Sequence, residues 1–289
     1  MNQRLAAAAA TAVALSLALT ACSSNDDETD ASGSGVTVSH IHGLGLDPSD
    51  QRLYVATHEG VYTPDAQGRP TLVGGDVDDF MGFTVAGKKT FLASGHPSAD
   101  GDGPGNKGLI KSTDAGRTWK SLSLSGESDF HALEYVHGTV YGYDSTNGRL
   151  RTSADGTAWT DKAPLEALDI AVSPQDPDLV LATTADGVAR STDGGKTFAA
   201  GKQPVMAYLS WSASDALFGI DTTGGLHRSS DGGTTWKKPA TVPGGQPQAL
   251  TAVGAEHVLA ATRDGVYESK DGGQSFTKRL DVEALGEGH

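Results

Sequence analysis

Five of the nine histidines in this 289-residue chain, His40, His42, His58, His96 and His131, fall within residues 40–131 among acidic and thioether side chains. His40-Ile41-His42 has the spacing that puts two imidazoles on one side of a strand. His58 lies in Ala56-Thr57-His58-Glu59-Gly60 and His96 in Ser94-Gly95-His96-Pro97, both turn-like connections. Met81 follows Asp79 by two residues, as His131 follows Asp129. Imidazole, thioether and carboxylate together suit a soft or borderline ion, copper or zinc, so His40, His42, His58, Met81, His96 and His131 are candidate ligands. A second chemistry needs only carboxylates, and Asp79, Asp129, Glu134 and Glu166 are candidates for the pair that a glycoside hydrolase uses. A third alternative is packing or small-ligand binding, in which the same His and Met side chains plug a narrow channel.

The elements that would gather these residues follow from internal repeats. One pattern recurs five times: Ser, any residue, Asp, any residue, Gly, any residue, Thr or Ser, then an aromatic. The copies are Ser112 to Trp119, a shortened Ser153 to Trp159, Ser191 to Phe198, Ser229 to Trp236 and Ser269 to Phe276, with starts 41, 38, 38 and 40 residues apart. A worn sixth copy at 63–68 precedes them by 49 residues, and a Gly/Asp-rich insertion at 97–108 absorbs the surplus. Within each copy the Ser and Asp side chains suit a tight hairpin turn, Gly accepts positive φ, and the aromatic suits a plug between sheets.

These octets resemble the Asp-box, or BNR repeat, and the resemblance to Asp-box β-propellers covers nearly all of residues 36–289. Around each copy the sequence alternates as four short strands, clearest in the fourth unit, where turns at 173–176 and 185–187 separate apolar runs. Six units at about 42 residues each predict an all-β, six-bladed β-propeller of four-stranded blades. How the ring closes is open, since 36–38 suits either an extra strand or an extension of the first.

In such a blade the start of strand 1 and the strand 2-to-3 connection share one mouth, and the octets lie at the other. Aligning the inner strands on their apolar pairs brings His42, Met81, His131, Leu168, Met206 and Gln248 to one level. His40, Asp79, Asp129 and Glu166 come two residues earlier, with His58 and His96 supplied by the connections on the same mouth. His137, His227 and His257 are expected at turns or strand edges. The insertion at 97–108 overhangs the same mouth as a lid or recognition loop. Its Asp100-Gly101-Asp102-Gly103 opening is a poor calcium loop, because Pro104 and Lys111 break that pattern.

Resemblance to Asp-box propellers implies either a hydrolase or a binding scaffold, because sialidases and other glycoside hydrolases share the repeat with propellers that assist photosystem assembly and with the sortilin ectodomain. A sialidase needs clustered arginines for its substrate carboxylate, and here Arg52, Arg69, Arg117, Arg149, Arg151, Arg190, Arg228, Arg263 and Arg279 fall mostly at turns and outer strands. Whether the protein is an enzyme stays open.

Composition bounds the partners. Twenty-two Lys and Arg against 36 Asp and Glu give a formal charge of -14, which excludes a basic stripe and, with it, nucleic acid as the expected partner. A single Cys excludes a disulfide framework and a Cys-based zinc or iron-sulfur site. That Cys ends Leu19-Thr20-Ala21-Cys22 after an Ala/Leu-rich stretch headed by Arg4, which resembles a bacterial lipobox. The resemblance implies a signal peptide at 1–21, a lipidated Cys22, a polar tether at 22–35 and a propeller at 36–289. The expectation is a monomer anchored by lipid to the extracytoplasmic face of the cell membrane, binding a small ligand, a metal ion or an envelope protein.

Overall fold

Each octet closes the hairpin between the third and fourth strands of a blade, and its side chains do the closing. In the copy at 112–119, Ser112 Oγ donates to Asp114 Oδ1 at 2.8 Å and accepts from Gly116 N at 2.8 Å. Asp114 in turn accepts from Thr118 N at 3.0 Å and from Thr118 Oγ1 at 2.7 Å. The same bonds recur around Asp193, Asp231 and Asp271, and the shortened copy keeps a reduced set around Asp155. Gly116 holds a positive φ of 80°, which a side chain would strain. The aromatic that ends each copy packs into the core between its own blade and the one before it. Trp159, for example, stacks on Phe130 with centroids 4.8 Å apart and donates from Nε1 to Ser123 Oγ of the preceding blade.

The computed structural model describes residues 38–282. The expected signal peptide at 1–21, lipidated Cys22 and tether at 22–35 lie outside the described residues, as do 36, 37 and 283–289. The described chain forms six antiparallel four-stranded sheets, each made of consecutive strands, spanning 41–72, 79–123, 130–164, 170–202, 206–241 and 247–281. Among the described residues there is no helix, and none is long and apolar enough to cross a membrane. The six sheets are the blades of a β-propeller. Their inner strands are Ile41–Leu46, Asp79–Gly87, Phe130–Val136, Ile170–Val172, Met206–Trp211 and Pro247–Ala252, and each packs against the next around the ring.

Blades 1 and 6 close the ring by packing, and among the described residues no strand is exchanged between them. Ile41, Leu44 and Val55 meet Ala249, Leu259 and Ala261 in one apolar cluster, and Val38 joins it as buried coil ahead of the first strand. Hydrogen bonds cross the same seam, from Ile41 N to Gln248 Oε1 at 3.1 Å and from Thr251 Oγ1 to Leu44 O at 2.9 Å. Similar links run between other blades: Glu134 accepts from Val172 N, Asp169 from Leu209 N and Ser210 Oγ from Ala252 N.

One irregularity repeats at the start of the inner strands. The ladder slips between Ile41 and Gly43, Phe80 and Gly82, Met206 and Tyr208, and Pro247 and Gln248's successor Ala249, so His42, Met81, Ala207 and Gln248 each occupy a bulge. A matching slip in blade 3 falls beside His131. In blade 4, Leu168 N bonds Thr183 O while Thr183 N bonds Asp169 O, which gives Asp169 the corresponding place. The common level is therefore His42, Met81, His131, Asp169, Ala207 and Gln248; an apolar-pair alignment puts Leu168 and Met206 there instead, one residue early. A bulge re-aims a side chain and breaks the two-residue period on which such an alignment rests.

Candidate metal centre

The bulges turn His42 and His131 toward the centre, where both border a channel of about 480 Å³ running the length of the inner strands. Around them the mouth resolves into two groups. His42, His58 and Asp79 form one, and His96, Asp129 and His131 the other, each with its ligand atoms within 4.8 Å of one another. His40 flanks the first group, its ring stacked on His42 at 4.7 Å and edge-on to His58 at 5.6 Å. Met81 takes the bulge of blade 2, the blade that lends Asp79 to the first group and His96 to the second.

His42 of the first group and its flanking His40 are held neutral. Burial, then the neighbouring His58, His40 and His131 rings, hold His42 down at about 3, and burial followed by His58 also lowers His40. At neutral pH these nitrogens carry lone pairs for a ligand. His42 Nε2 lies 3.3 Å from His58 Nε2, and His58 Nδ1 lies 3.0 Å from Asp79 Oδ1. The latter contact is close but misaligned, and Asp79 Oδ1 is left buried without a hydrogen-bond donor.

In the second group His131 Nε2 meets Asp129 Oδ2 at 2.6 Å, which raises the imidazole above its usual range against the effect of burial. Burial opposes ionisation of Asp129, but the His131 hydrogen bond, the charges of His131 and His96 and the Ser145 hydroxyl outweigh it and keep the carboxyl below its usual range. Asp129 is only 4% exposed, yet its Oδ1 has no hydrogen-bond partner. His96 is oriented by the insertion, because Nδ1 lies 2.8 Å from Gly105 O, an acceptor to which it must donate. In the neutral ring that leaves the Nε2 lone pair facing Asp129 Oδ2 at 3.4 Å. Two acceptors so placed need a proton or a cation between them.

Blade 2 serves both groups through one rung, with Asp79 opposite His96 in the ladder. The approach is close enough to require glycine beside it: a Cβ on Gly95, whose φ is 150°, would come within 1.8 Å of Asp79 O. The insertion is anchored at the same place, through the Lys107–Asp78 ion pair, Lys107 N to Gly95 O and Ser98 N to Asp78 Oδ1.

Glu134 and Glu166 part company with the other carboxylates. Glu166 is exposed beside Leu168 and Thr184, bordering a separate hollow. Glu134 lines the central channel, where burial pushes it up to about 8 against the opposing Val172 N–H. Its neighbour in the channel is Asp169, a residue the aligned sequence overlooks, pushed up by burial to about 7. Of the histidines expected at turns or strand edges, His227 and His257 make part-buried pairs, with Asp221 at 2.8 Å and Glu268 at 2.7 Å, and exposed His137 donates from Nε2 to Ser173 O at 2.9 Å.

No protein-family model matches the sequence, and no curated protein matches it. Solved structures do. A GH74 enzyme from Niastella koreensis is similar over 85% of this chain and 46% of its own, at 16% identity and a TM-score of 0.60. The chain thus spans about half the length of that enzyme or less. A catalytically inactive virginiamycin B lyase from Staphylococcus aureus, solved with quinupristin, is similar over 86% of this chain and 87% of its own, at 11% identity and a TM-score of 0.55. A putative gluconolactonase matches over 84% and 91%, at 11% identity and a TM-score of 0.60. These likenesses show the propeller fold alone.

Proposed function

We propose that this protein is a lipid-anchored, extracytoplasmic β-propeller of the Asp-box type that binds a transition-metal ion, copper or zinc, at its histidine-rich mouth. The observation that carries this reading is the convergence of His42, His58 and Asp79, and of His96, Asp129 and His131, into groups with ligand atoms within 4.8 Å. The donor set fits: imidazole nitrogens and carboxylate oxygens suit zinc and copper, and the buried Asp129 Oδ1 lacks any other partner. His96, locked by Gly105 O, has the oriented second nitrogen that ligating histidines commonly show. Elemental analysis of the purified full-length protein, after exposure to copper and zinc and removal of free ion, tests it. At least one ion per chain is expected, and metal-free protein after both exposures overturns the reading.

A glycoside hydrolase is the second reading, favoured by one observation. Glu134, protonated in the channel at neutral pH, and Asp129, held ionised, have the contrasting states of a general acid and its partner. Hydrolysis of aryl glycosides that disappears in Glu134→Gln supports it, and absence of hydrolysis by the wild type removes it.

A further inference from the structure

Two donor groups stand at the mouth where a single ion would need one. They are adjacent: Asp79 of the first and His96 of the second are opposite residues in one antiparallel ladder, whose paired Cα atoms lie ~4.5–5.5 Å apart. Each group has two imidazoles and one aspartate. Each aspartate also has one buried oxygen without a hydrogen-bond donor, Asp79 Oδ1 and Asp129 Oδ1. Among the described residues the other buried side-chain atoms in that condition are the indole nitrogens of Trp119 and Trp211, so both orphaned anionic oxygens fall in the two groups. A buried carboxylate oxygen with no donor is costly, and a cation removes the cost. His42 and His131, one from each group, border the same channel, which gives two ions a common open side.

We infer that the mouth is a dinuclear centre, one ion in each group, that takes a small oxyanion such as phosphate between the two ions. This rests on the metal-binding reading and adds the number of ions and the class of ligand. Two divalent ions against Asp79 and Asp129, with imidazoles that ligate only as neutral rings, leave roughly two positive charges unbalanced, which a phosphate-like oxyanion offsets while bridging both ions. In a chain with a formal charge of -14 such a concentration of positive charge is local to the mouth.

Zinc titration of the full-length protein, with bound zinc counted by elemental analysis and inorganic phosphate binding followed by calorimetry, tests the inference. The wild type should hold two zinc ions. His58→Ala and His131→Ala should each hold one, and should bind phosphate at least tenfold more weakly than the two-zinc protein. His131→Gln, which conserves volume, and melting curves of all variants separate lost ligation from lost folding. One ion in the wild type, removed entirely by either substitution, overturns the dinuclear centre and leaves a mononuclear metal protein. Two ions with no phosphate affinity overturn the oxyanion assignment. No ion at all overturns both this inference and the metal-binding reading beneath it.

Discussion

Asp79 and His96 are partners across one rung of blade 2, yet each works with a different neighbouring blade, Asp79 with His42 and His58 of blade 1 and His96 with Asp129 and His131 of blade 3. A single hairpin therefore couples two donor groups that sequence distance would separate. The insertion at 97–108 begins immediately after His96 and returns to hold its ring through Gly105 O, so loop, rung and donor orientation form one local unit.

Removing the charge of Asp79 should act on one side of that rung. In Asp79→Asn the His42/His58 group loses its only carboxylate ligand, and zinc affinity of that group should fall by at least the ~10–100-fold that loss of a supporting partner causes. The His96/Asp129/His131 group should keep its affinity. Calorimetry resolves the two, and an equal loss in both groups would show that they do not bind separately.

The channel carboxyls make a prediction about pH. Glu134 and Asp169 titrate near 8 and 7 in the folded protein, well above ordinary carboxylates, because burial favours the neutral form. A raised folded value means that the stability contributed is fully present near pH 4 and is lost as pH rises through 7 to 8. Glu134→Gln combined with Asp169→Asn keeps neutral groups at both positions and removes that slope. Each pKa unit corresponds to ~1.4 kcal/mol, so half the shift of either residue already gives about 2 kcal/mol. Wild type should lose at least that much relative to the double variant between pH 5 and pH 8.5 in chemical denaturation. Parallel curves would mean that the channel solvates these carboxyls as bulk water does.

Ring closure offers a third test. Gln248 is buried at the bulge of blade 6 and accepts from Ile41 N, the first strand residue of blade 1. Gln248→Ala leaves that buried N–H unpaired, at a cost of about 1–3 kcal/mol. Because the apolar seam around Ile41 and Leu259 remains, unfolding should stay a single transition at lower denaturant. An unchanged midpoint would show that packing alone closes the ring.

Blade number was legible because the octet is chemically self-contained: Ser, Asp and Gly satisfy one another within eight residues, so the signal survives in any tertiary context. The histidine pair at 40 and 42 was legible for the same local reason. Asp169 was not, because its strand reads Leu168-Asp169-Ile170-Ala171-Val172 and either register puts apolar residues on one face. Only the bulge, a tertiary feature set by Thr183 on the adjacent strand, decides which residue turns to the channel. The division of the histidines into two groups was equally hidden, since it depends on Asp79 and His96 meeting across a rung whose residues are seventeen apart in the chain. Closure between blades 1 and 6 joins residues far apart in sequence, such as Ile41 and Gln248, for which local pattern carries no signal.

The plug between blades should be separable from the mouth. Trp159 stacks on Phe130 and bonds Ser123 of the preceding blade, at the end of the propeller where the octets lie. Trp159→Ala should cost about 3 kcal/mol, the lower end for emptying a large aromatic site, because the ring is partly exposed. Metal content of the folded fraction should be unchanged. Loss of metal at unaltered stability would place the two ends in communication through Phe130, which leads directly to His131.

The anchor can be tested independently of the propeller. Cys22 lies at the end of an Ala/Leu-rich segment, followed by a polar stretch rich in Ser, Asp and Gly that has too few apolar residues to bind a bilayer by itself. With Cys22→Ala the thiol that would carry the lipid is gone, and stable anchoring needs either acyl chains or a spanning segment. Fractionation of cells that produce each protein should find the wild type with the membranes and the variant in the soluble fraction or retained as an unprocessed precursor. The two outcomes are distinguished by size, since the precursor keeps residues 1–21. Mature-sized variant that remains membrane-bound to the wild-type extent would refute lipidation at Cys22 and require a protein partner at the membrane. Because the donor groups all lie within 42–131, metal content per folded chain should be the same in both forms.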